Sequence, residues 1–278
     1  LTHQSLSNPK LKLPFSSYTY DKAGNRLTLK DNEGTHTYTY DQAYQLTGVT
    51  YPLGNKNEYT YDKAGNRLSL KEGIKTTPYT YDKANRLLKR DKITFAYDKN
   101  GNTLKEQRLN KTTTYAYDFE NRLKSVQKEN KTTSYAYDAQ GRRAAKAANG
   151  KTTRFYHDGF NLLFETNEKD KLKQSYVYGS DIDEILTSNG NVYLKDGLGS
   201  TTSLANSQGQ SQASYTYDAY GETRSEQGKV DNDFLYTGRQ LDKESDLYYY
   251  RNRYYDPSAG RFITKDPIGL EGGINQYT

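Results

Sequence analysis

The side chains that most often carry out chemistry are few and widely separated in this sequence. It contains His3, His36 and His157 and no cysteine. No residue with metal-ligand spacing lies near any of these histidines, so a zinc site is not indicated. Three scattered histidines also do not define a Ser/His/Asp hydrolase set. We therefore predict no metal and no cofactor.

The sequence also does not support a calcium-binding loop or a phosphate-binding loop. The stretch "DIDE" at 181–184 superficially suggests calcium, but it lacks the loop glycine and the terminal bidentate acid of a calcium loop. We interpret it as a turn. The sequence also contains no Gly-x-Gly-x-x-Gly or phosphate loop.

Aspartate is the one reactive residue type that recurs at regular intervals, aligned on a Tyr-x-Tyr-Asp motif. The steps between successive copies are 20, 21, 20, 16, 20 and 20 residues, at Asp21, Asp41, Asp62, Asp82, Asp98, Asp118 and Asp138. Weaker copies follow at "FYHDG" and "YVYGSD", and "YTYDAYGE" restores the motif at Asp218. About two-thirds of the chain is therefore one repeated unit, which identifies a repeat protein.

Each unit predicts a β-hairpin. "TYTYD" and "RLTLK" alternate as half-buried strands do. Between them "DKAGN" has turn chemistry, because Asp21 can bond its own backbone two residues on and Gly24 can take a positive φ. We assign a structural turn role to the repeat positions Asp21, Gly24, Asp41, Asp62, Gly65, Asp82, Asp98, Asp118, Asp138 and Asp218. The copy at 79–88 lacks the glycine and predicts a tighter turn.

Stacked hairpins of this kind predict an all-β fold. A 20-residue hairpin cannot bury a core alone, but tandem hairpins can form one long antiparallel sheet. Long sheets twist, so we expect the strip to curl or spiral. The chain holds 29 tyrosines and its mean hydropathy is −1.08. Tyrosine favours strands and keeps a hydroxyl for water, which suits a thin sheet that is wet on one side.

Charge and hydropathy limit the kinds of partner that the sequence favours. The net charge is +6, but lysines recur once or twice per repeat, which indicates a solvated face and not a nucleic-acid groove. No apolar run approaches the roughly 20 residues that cross a bilayer, and no signal peptide is visible. The sequence contains no methionine, so we expect a piece of a longer polypeptide.

The C-terminal third carries individual motifs. They are "DGLGS" at 196–200, "DAYG" at 218–221, "FLYTGR" at 234–239 and the run "LYYYRNRYYDPSAGRFITKDPIGLEGGINQY" at 247–277. Together with the Tyr-x-Tyr-Asp repeats, this ordered set resembles the YD repeats and the associated core region of the RHS family. The family is similar to the C component of insecticidal toxin complexes and, more distantly, to teneurins.

The resemblance implies a function. In the family, the YD strip spirals into a hollow shell that encloses a C-terminal toxin, and the core region plugs it. We therefore expect a shell module of a secreted or cell-surface bacterial toxin. The implied partners are its own toxin domain or further shell segments, and a secretion apparatus or immunity protein. The predicted divisions are a lead-in (1–17), the strip (18–160), irregular repeats (161–192) and the core region (193–278).

The resemblance also implies a self-cleaving aspartyl protease in many members. Asp266 in "KDPIGL" matches the first catalytic aspartate, and Arg261 is a candidate charge partner. The second Asp-Pro-x-Gly-Leu, which carries the other aspartate and the cut, does not occur in this sequence. An aspartyl protease needs two carboxylates that share a proton. We therefore expect no self-cleavage by this chain, and we expect Asp256 in "YYDP" to set a turn.

Two other functions compete. Aromatic hairpins of about 20 residues can bind carbohydrate or cell-wall polymers by ring stacking, although such modules depend on tryptophan and this chain has none. Nucleic-acid binding by stacked tyrosines has no supporting motif.

Overall fold

A computed structural model describes residues 15–278. Most of the predicted lead-in and His3 lie outside the described residues. The described chain forms 26 strands and two short 3₁₀ segments, Tyr236–Gly238 and Gly269–Gly272, and no α-helix.

The first 22 strands succeed one another along the chain. They are β1 (Ser17–Tyr20), β2 (Arg26–Asp31), β3 (Gly34–Tyr40), β4 (Leu46–Thr50), β5 (Lys56–Tyr61), β6 (Arg67–Glu72), β7 (Lys75–Tyr81), β8 (Leu87–Arg90), β9 (Ile93–Tyr97), β10 (Thr103–Arg108) and β11 (Lys111–Tyr117). They continue with β12 (Leu123–Lys128), β13 (Lys131–Tyr137), β14 (Arg143–Ala148), β15 (Lys151–Asp158), β16 (Asn161–Thr166), β17 (Leu172–Tyr178), β18 (Ile185–Ser188), β19 (Asn191–Lys195), β20 (Thr201–Ala205), β21 (Ser211–Tyr217) and β22 (Thr223–Gly228).

These 22 strands form a single sheet in which each strand pairs antiparallel with the next. Tyr18 faces Leu29 in the first hairpin, and Thr28 faces Thr37 where that hairpin joins the next. The pairing continues without interruption across 160/161 and 192/193. The all-β prediction is confirmed, whereas the predicted domain divisions stay predictions.

The repeated turn is built by its aspartate. Oδ1 of Asp21 accepts the N–H groups of Ala23 (2.9 Å) and Asn25 (2.8 Å), and Oδ2 accepts the side-chain amide of Asn25 at 2.8 Å. Gly24 lies at φ +89°, a conformation that glycine adopts without strain. A register shift between Thr19 and Tyr20 marks the bulge at which the strand enters the turn.

The turn without glycine differs from our expectation. Asp82 accepts from the N–H groups of Ala84 and Arg86 with the same spacing, so this turn is not tighter. Asn85 takes the glycine position at φ +61°, which asparagine tolerates better than most residues. The shortened step lies instead in β8 and β9, which hold four and five residues.

Two rows of rings line one face of the sheet. The first ring of most motifs is buried, and those of the first and fifth motifs, Tyr18 and Phe95, are half-buried. The buried first rings are Tyr38, Tyr59, Tyr79, Tyr115, Tyr135, Phe155, Tyr176 and Tyr215. The second ring of a motif connects its hairpin to the preceding hairpin, because its hydroxyl donates to a backbone carbonyl of that preceding hairpin. The Tyr117 hydroxyl donates to Thr103 O (2.8 Å), and the Tyr137 hydroxyl donates to Leu123 O (2.7 Å). In the repeat ending at Asp158, Nε2–H of His157 donates to Arg143 O at 2.9 Å.

The strip curls toward this face until its beginning meets its end. The hydroxyl of Tyr18 on β1 accepts the N–H of Gly197, in the turn between β19 and β20, at 2.7 Å. The hydroxyls of Tyr61 and Tyr220 also meet in a hydrogen bond. No strand pairing joins β1 to β22 within residues 15–278. The predicted curling is therefore confirmed, with both edge strands left open.

The last 45 residues pack inside the curl. They carry a second, four-stranded sheet of β23 (Gln240–Asp242), β24 (Leu247–Tyr250), β25 (Arg253–Asp256) and β26 (Arg261–Phe262). Residues of this C-terminal segment, 234–278, share hydrophobic clusters with rings from β7, β11, β13, β15, β17 and β21. The core of the molecule is thus the contact between the ring-lined face and this segment.

Candidate functional site

Arginines of the strip hold the C-terminal segment through hydrogen bonds and contacts with aromatic rings. Arg67 stands five residues after a turn aspartate, at the start of β6, and its guanidinium donates to Ala259 O at 2.8 Å. It also lies over the rings of Tyr79 (4.6 Å) and Tyr220 (4.4 Å). A planar cation between rings, with a carbonyl to accept its N–H, is a stable buried arrangement.

Arg143 occupies the same position of a later repeat and is the most deeply buried of these contacts. Its guanidinium donates to Asp242 Oδ2 at 2.6 Å and to Gln240 Oε1 at 2.8 Å, and it lies 4.3 Å from the centre of the Tyr249 ring. The Tyr249 hydroxyl accepts the Arg143 N–H at 3.0 Å. Burial lowers the pKa of Arg143, but Asp242 together with the neighbouring Tyr254, Tyr249 and Tyr135 raises it above its usual value.

The Arg143 contact continues as a polar network into neighbouring strands. Gln240 Nε2 and the Tyr176 hydroxyl both donate to Glu165 Oε1, at 3.1 and 2.8 Å. Lys146 pairs with Asp242 at 3.1 Å. Burial raises the pKa of the Glu165 carboxyl. The network joins three strands of the strip to β23.

The end of the chain lies across the row of YD turns. Thr103 N–H donates to Ile263 O at 2.9 Å, and the Tyr277 hydroxyl donates to Gly101 O at 2.7 Å. The side-chain amide of Asn275 donates to Asn66 Oδ1 at 2.9 Å. The C-terminal segment therefore covers one rim of the curl, the rim formed by the aspartate turns.

Asp266 lies at this covered rim and is held by three contacts. Its Oδ2 pairs with Arg253 at 2.8 Å, its Oδ1 accepts the Ile268 N–H at 3.1 Å, and its own N–H donates to Gln276 O at 2.8 Å. The Arg253 guanidinium stacks on the Phe262 ring at 3.6 Å. Burial lowers the pKa of Arg253, and the Asp266 charge opposes that shift.

The Arg261 side chain points away from Asp266. Its guanidinium donates to Asn85 O at 2.5 Å and lies between the rings of Tyr81 and Tyr277, 4.9 Å from each centre. The cation that the structure brings to Asp266 is therefore Arg253. The candidate charge partner suggested by the sequence serves instead to hold the end of the chain against a YD turn.

The other acidic candidates form turns and ion pairs. Asp256 accepts the N–H groups of Ser258 (2.9 Å) and Ala259 (3.2 Å). Asp183 of "DIDE" pairs with Arg239 at 2.8 Å and Arg251 at 2.6 Å. Over residues 15–278, no group of three or more His, Cys, Asp or Glu side chains is placed to hold a metal. The same residues include no helix long and apolar enough to cross a membrane.

Sequence reasoning missed the residues that dock the C-terminal segment. Arg26, Arg67 and Arg143 each follow a turn aspartate by five positions. This repeated position is the sequence feature from which Arg143 could have been identified. Nothing in the local sequence pairs it with Asp242, which is 99 residues away. Arg253 lies within a motif that the resemblance covers, but its contact with Asp266 depends on the fold of the segment.

A family comparison covers nearly all of the described chain. The sequence matches the family model described as the teneurin YD-shell over residues 16–272. A solved structure of TcdB2-TccC3-Cdc42 superposes with a TM-score of 0.46 at 19% identity, over 94% of this chain and 18% of that one.

Curated relatives match shorter stretches. The tRNA3(Ser)-specific nuclease WapA of Bacillus spizizenii is 38% identical over 117 residues, which are 40% of this chain and 5% of that protein. Toxin protein Tse5 of Pseudomonas aeruginosa is 38% identical over 82 residues, 30% of this chain and 6% of that protein. The putative uncharacterized protein YlbH of Escherichia coli is 52% identical over 63 residues, 22% of this chain and 27% of that protein. The matched region thus spans a small part of each relative.

Proposed function

Because the chain belongs to the YD-repeat (RHS) family, as its match to the teneurin YD-shell over residues 16–272 shows, we propose that it forms part of a shell that encloses a toxin of the same polypeptide. The resemblance seen in the sequence motifs and the family match agree on this membership. The shell is the function that the geometry supports best.

One observation carries the proposal: the strip curls around a segment of its own chain and buries its rings against it. Tyr248 and Leu235 of the C-terminal segment are fully enclosed by the strip. The same segment covers the rim formed by the YD turns. A curled sheet that is closed at one rim by its own chain has the form of a container wall with a plug.

The names of two relatives support a toxin as the cargo. One is named a tRNA-specific nuclease and another a toxin, and the matched stretches make up 5% and 6% of those proteins. We place the toxin activity outside this chain, in the remainder of the parent polypeptide. The proposed partners are that toxin or further shell segments, and the secretion apparatus or immunity protein of a secreted or cell-surface bacterial toxin.

Imaging the full-length parent by cryo-electron microscopy tests the shell. We expect a hollow particle with the YD strip in its wall and the C-terminal segment at one end. A parent lacking its toxin domain is the matched control, and it should keep the wall and lose the internal density. An extended rod, or a solid particle with no internal space, would refute the proposal.

We also propose that Asp266 is one half of a self-cleavage site whose second aspartate lies outside this sequence. Its carboxylate is held in a fixed position by Arg253 and by the Ile268 N–H, as a preorganised catalytic group requires. The 278-residue chain should stay intact on incubation, as judged by mass spectrometry.

The test is to append the second Asp-Pro-x-Gly-Leu segment of the parent. Processing should then appear and should be lost in Asp266→Asn. Asp256→Asn is the control, because asparagine can keep the turn that Asp256 forms. Undiminished processing in the Asp266 variant would remove this residue from the mechanism.

Carbohydrate binding finds no comparable support. The first ring of most motifs is buried against neighbouring rings or the C-terminal segment, as at Tyr59, Tyr79 and Tyr215. Rings in this position cannot stack on a polymer in solution. Retention on a glycan array, competed by free sugar, would reverse this conclusion.

A further inference from the structure

The C-terminal segment leaves one part of the curl unfilled. A cavity of about 310 Å³ remains where the first strands of the strip face the last. Its aromatic wall includes Tyr38, Tyr51, Tyr215, Tyr217 and Tyr236. This volume and this mixture of rings with a few polar groups are typical of small-ligand sites.

Two turn aspartates that line this cavity differ from most of the other repeats. In the regular turn, the side chain four positions later donates to Oδ2, as Asn25 does to Asp21 and Arg122 does to Asp118. Asp218 has Glu222 at that position, and a carboxylate has no proton to donate when it is ionised.

The other exception is Asp196, which has Ser200 four positions later. The Ser200 hydroxyl oxygen accepts the Thr237 N–H at 3.1 Å, and the Oδ1 of Asp196 accepts the N–H groups of Leu198 and Ser200. Both aspartates therefore lack the Asn or Arg side chain that caps Oδ2 in most repeats. Asp41, which is followed by Gln45, also lacks this cap, but it lies in an exposed turn away from the cavity. Burial raises the pKa of the Asp196 and Asp218 carboxyls, although each accepts hydrogen bonds within its turn.

A tyrosine hydroxyl lining the same cavity is also without a partner. Tyr51 is 5% exposed, and within residues 15–278 its hydroxyl makes no hydrogen bond. A buried hydroxyl without a partner is costly and uncommon in native proteins. It indicates a site at which a further polar group is bound.

The cavity lining carries more negative charge than positive charge. Asp31, Glu33, Asp196 and Asp218 contribute four carboxylates, whereas Arg26 is the one arginine or lysine among the described lining residues. Nε2 of His36 is already within 3.1 Å of Asp31. A cationic ligand would balance this excess and could also lie against the tyrosine rings.

We propose that this cavity binds an organic cation, a guanidinium or a primary ammonium, whose N–H groups donate to Asp196 and Asp218 and to the Tyr51 hydroxyl. Such a cation can come from an arginine or lysine side chain of a polypeptide or from a free polyamine. The proposal does not depend on encapsulation, because it concerns only groups of this chain.

Calorimetric titration of the 278-residue chain tests the site with four probes. N-acetyl-arginine methylamide and N-acetyl-lysine methylamide represent a polypeptide source, and spermidine represents a free amine. N-acetyl-citrulline methylamide is the uncharged match of the arginine probe. We expect a cationic probe to bind at least about tenfold more tightly than the citrulline probe, because a buried charge pair contributes more than a neutral hydrogen bond. Preference for spermidine over the capped amino acids would identify a free amine as the source.

Asparagine variants isolate the charge without removing the turn. Asn167 and Asn206 already form this turn in the same strip, each accepting two backbone N–H groups. Asp196→Asn and Asp218→Asn should therefore fold and should weaken cation binding by about tenfold or more. Asp41→Asn, in an exposed turn away from the cavity, is the matched control and should bind as the wild type does.

A further variant tests the unpartnered hydroxyl. Tyr51→Phe should weaken binding and should leave the unliganded chain as stable as the wild type or more stable, because the lost hydroxyl makes no hydrogen bond there. Equal affinity for the citrulline and arginine probes would overturn the proposal. So would the absence of any binding at millimolar probe, or cation binding unchanged in both aspartate variants.

Discussion

Arg143 and Asp242 form an ion pair in which both side chains are 1% exposed, with Nη1 and Oδ2 at 2.6 Å. Arg143 begins β14 of the strip and Asp242 ends β23 of the C-terminal segment. Each charge has further hydrogen-bond partners, Gln240 for the guanidinium and Lys146 for the carboxylate. The pair therefore connects the wall to the segment inside it.

Removing one member of this pair should be costly. Asp242→Ala would leave the Arg143 guanidinium buried without its counter-charge, and we expect the free energy of unfolding to fall by about 3–5 kcal/mol. Urea denaturation followed by tyrosine fluorescence measures this loss. Arg154 and Asp170 form a control pair of the same type and the same 2.6 Å length, with 40% and 69% of their side chains exposed.

The control separates burial from ion pairing. Asp170→Asn should cost less than about 1 kcal/mol, since water screens and replaces an exposed pair and asparagine tolerates the left-handed backbone of Asp170 (φ +57°). Replacing both buried charges, in Arg143→Met with Asp242→Leu, should recover much of the loss. A loss at Asp242 no larger than the loss at Asp170 would show that the pair does not hold the C-terminal segment.

Local structure could be predicted because each repeat encodes its own hairpin. The alternation of "TYTYD" and the Asp-to-Gly turn act within ten residues, so the strands and the curl of the strip followed from one copy. The contacts of Asp242 and Asp266 could not be predicted in this way. They depend on which repeat lies beside the C-terminal segment after the strip has curled, and the repeats are too alike in sequence to distinguish those neighbours. The resemblance identified Asp266, but it did not identify Arg253 as its partner.

The second tyrosine of a repeat should stabilise the strip through its hydroxyl. Tyr117→Phe removes the hydrogen bond to Thr103 O, which is 2.8 Å long, and leaves that carbonyl with fewer donors. We expect a loss of about 1 kcal/mol in the free energy of unfolding. Tyr20→Phe is the matched control, because Tyr20 is exposed and should cost almost nothing. Equal effects of the two substitutions would contradict a stabilising role for the hydrogen bonds of the second tyrosines.

Asp233 should make stability depend on pH. It lies next to β23, among Lys146, Glu165, Asp231 and Lys243, and burial raises the pKa of its carboxyl to about 7. Between the unfolded pKa of about 3.9 and pH 7, the folded chain holds a proton that the unfolded chain has lost. Stability from this group is therefore full below pH 4, falls as the pH rises to 7, and is constant above it.

Asp233→Asn tests this dependence. The variant should gain stability relative to the wild type as the pH rises from 4 to 7, with denaturation midpoints compared at pH 4.5, 6 and 8. Asp231→Asn is the control, since Asp231 is exposed and no such gain is expected there. A difference between wild type and Asp233→Asn that does not change with pH would show that Asp233 is ionised throughout.

Gly221 should be more sensitive to substitution than its counterpart in the first repeat. Gly24 and Gly221 have nearly the same backbone conformation, φ +89° and +91°. A methyl group at Gly24 would meet no atom within 4 Å, whereas at Gly221 it would overlap the ring of Tyr236 in the C-terminal segment. Both alanine variants carry the left-handed backbone penalty of about 1–2 kcal/mol, and only Gly221→Ala adds overpacking of about 1–3 kcal/mol.

The comparison is made by urea denaturation of both variants, with a second measurement in a Tyr236→Ala background. Removing the ring should reduce the cost of Gly221→Ala to that of Gly24→Ala, because only the backbone penalty then remains. This coupling between two residues in contact is what a double-mutant cycle measures. If Gly221→Ala costs the same with and without the ring, the C-terminal segment does not press on this turn in solution, and the proposed closure of the YD rim fails at that point.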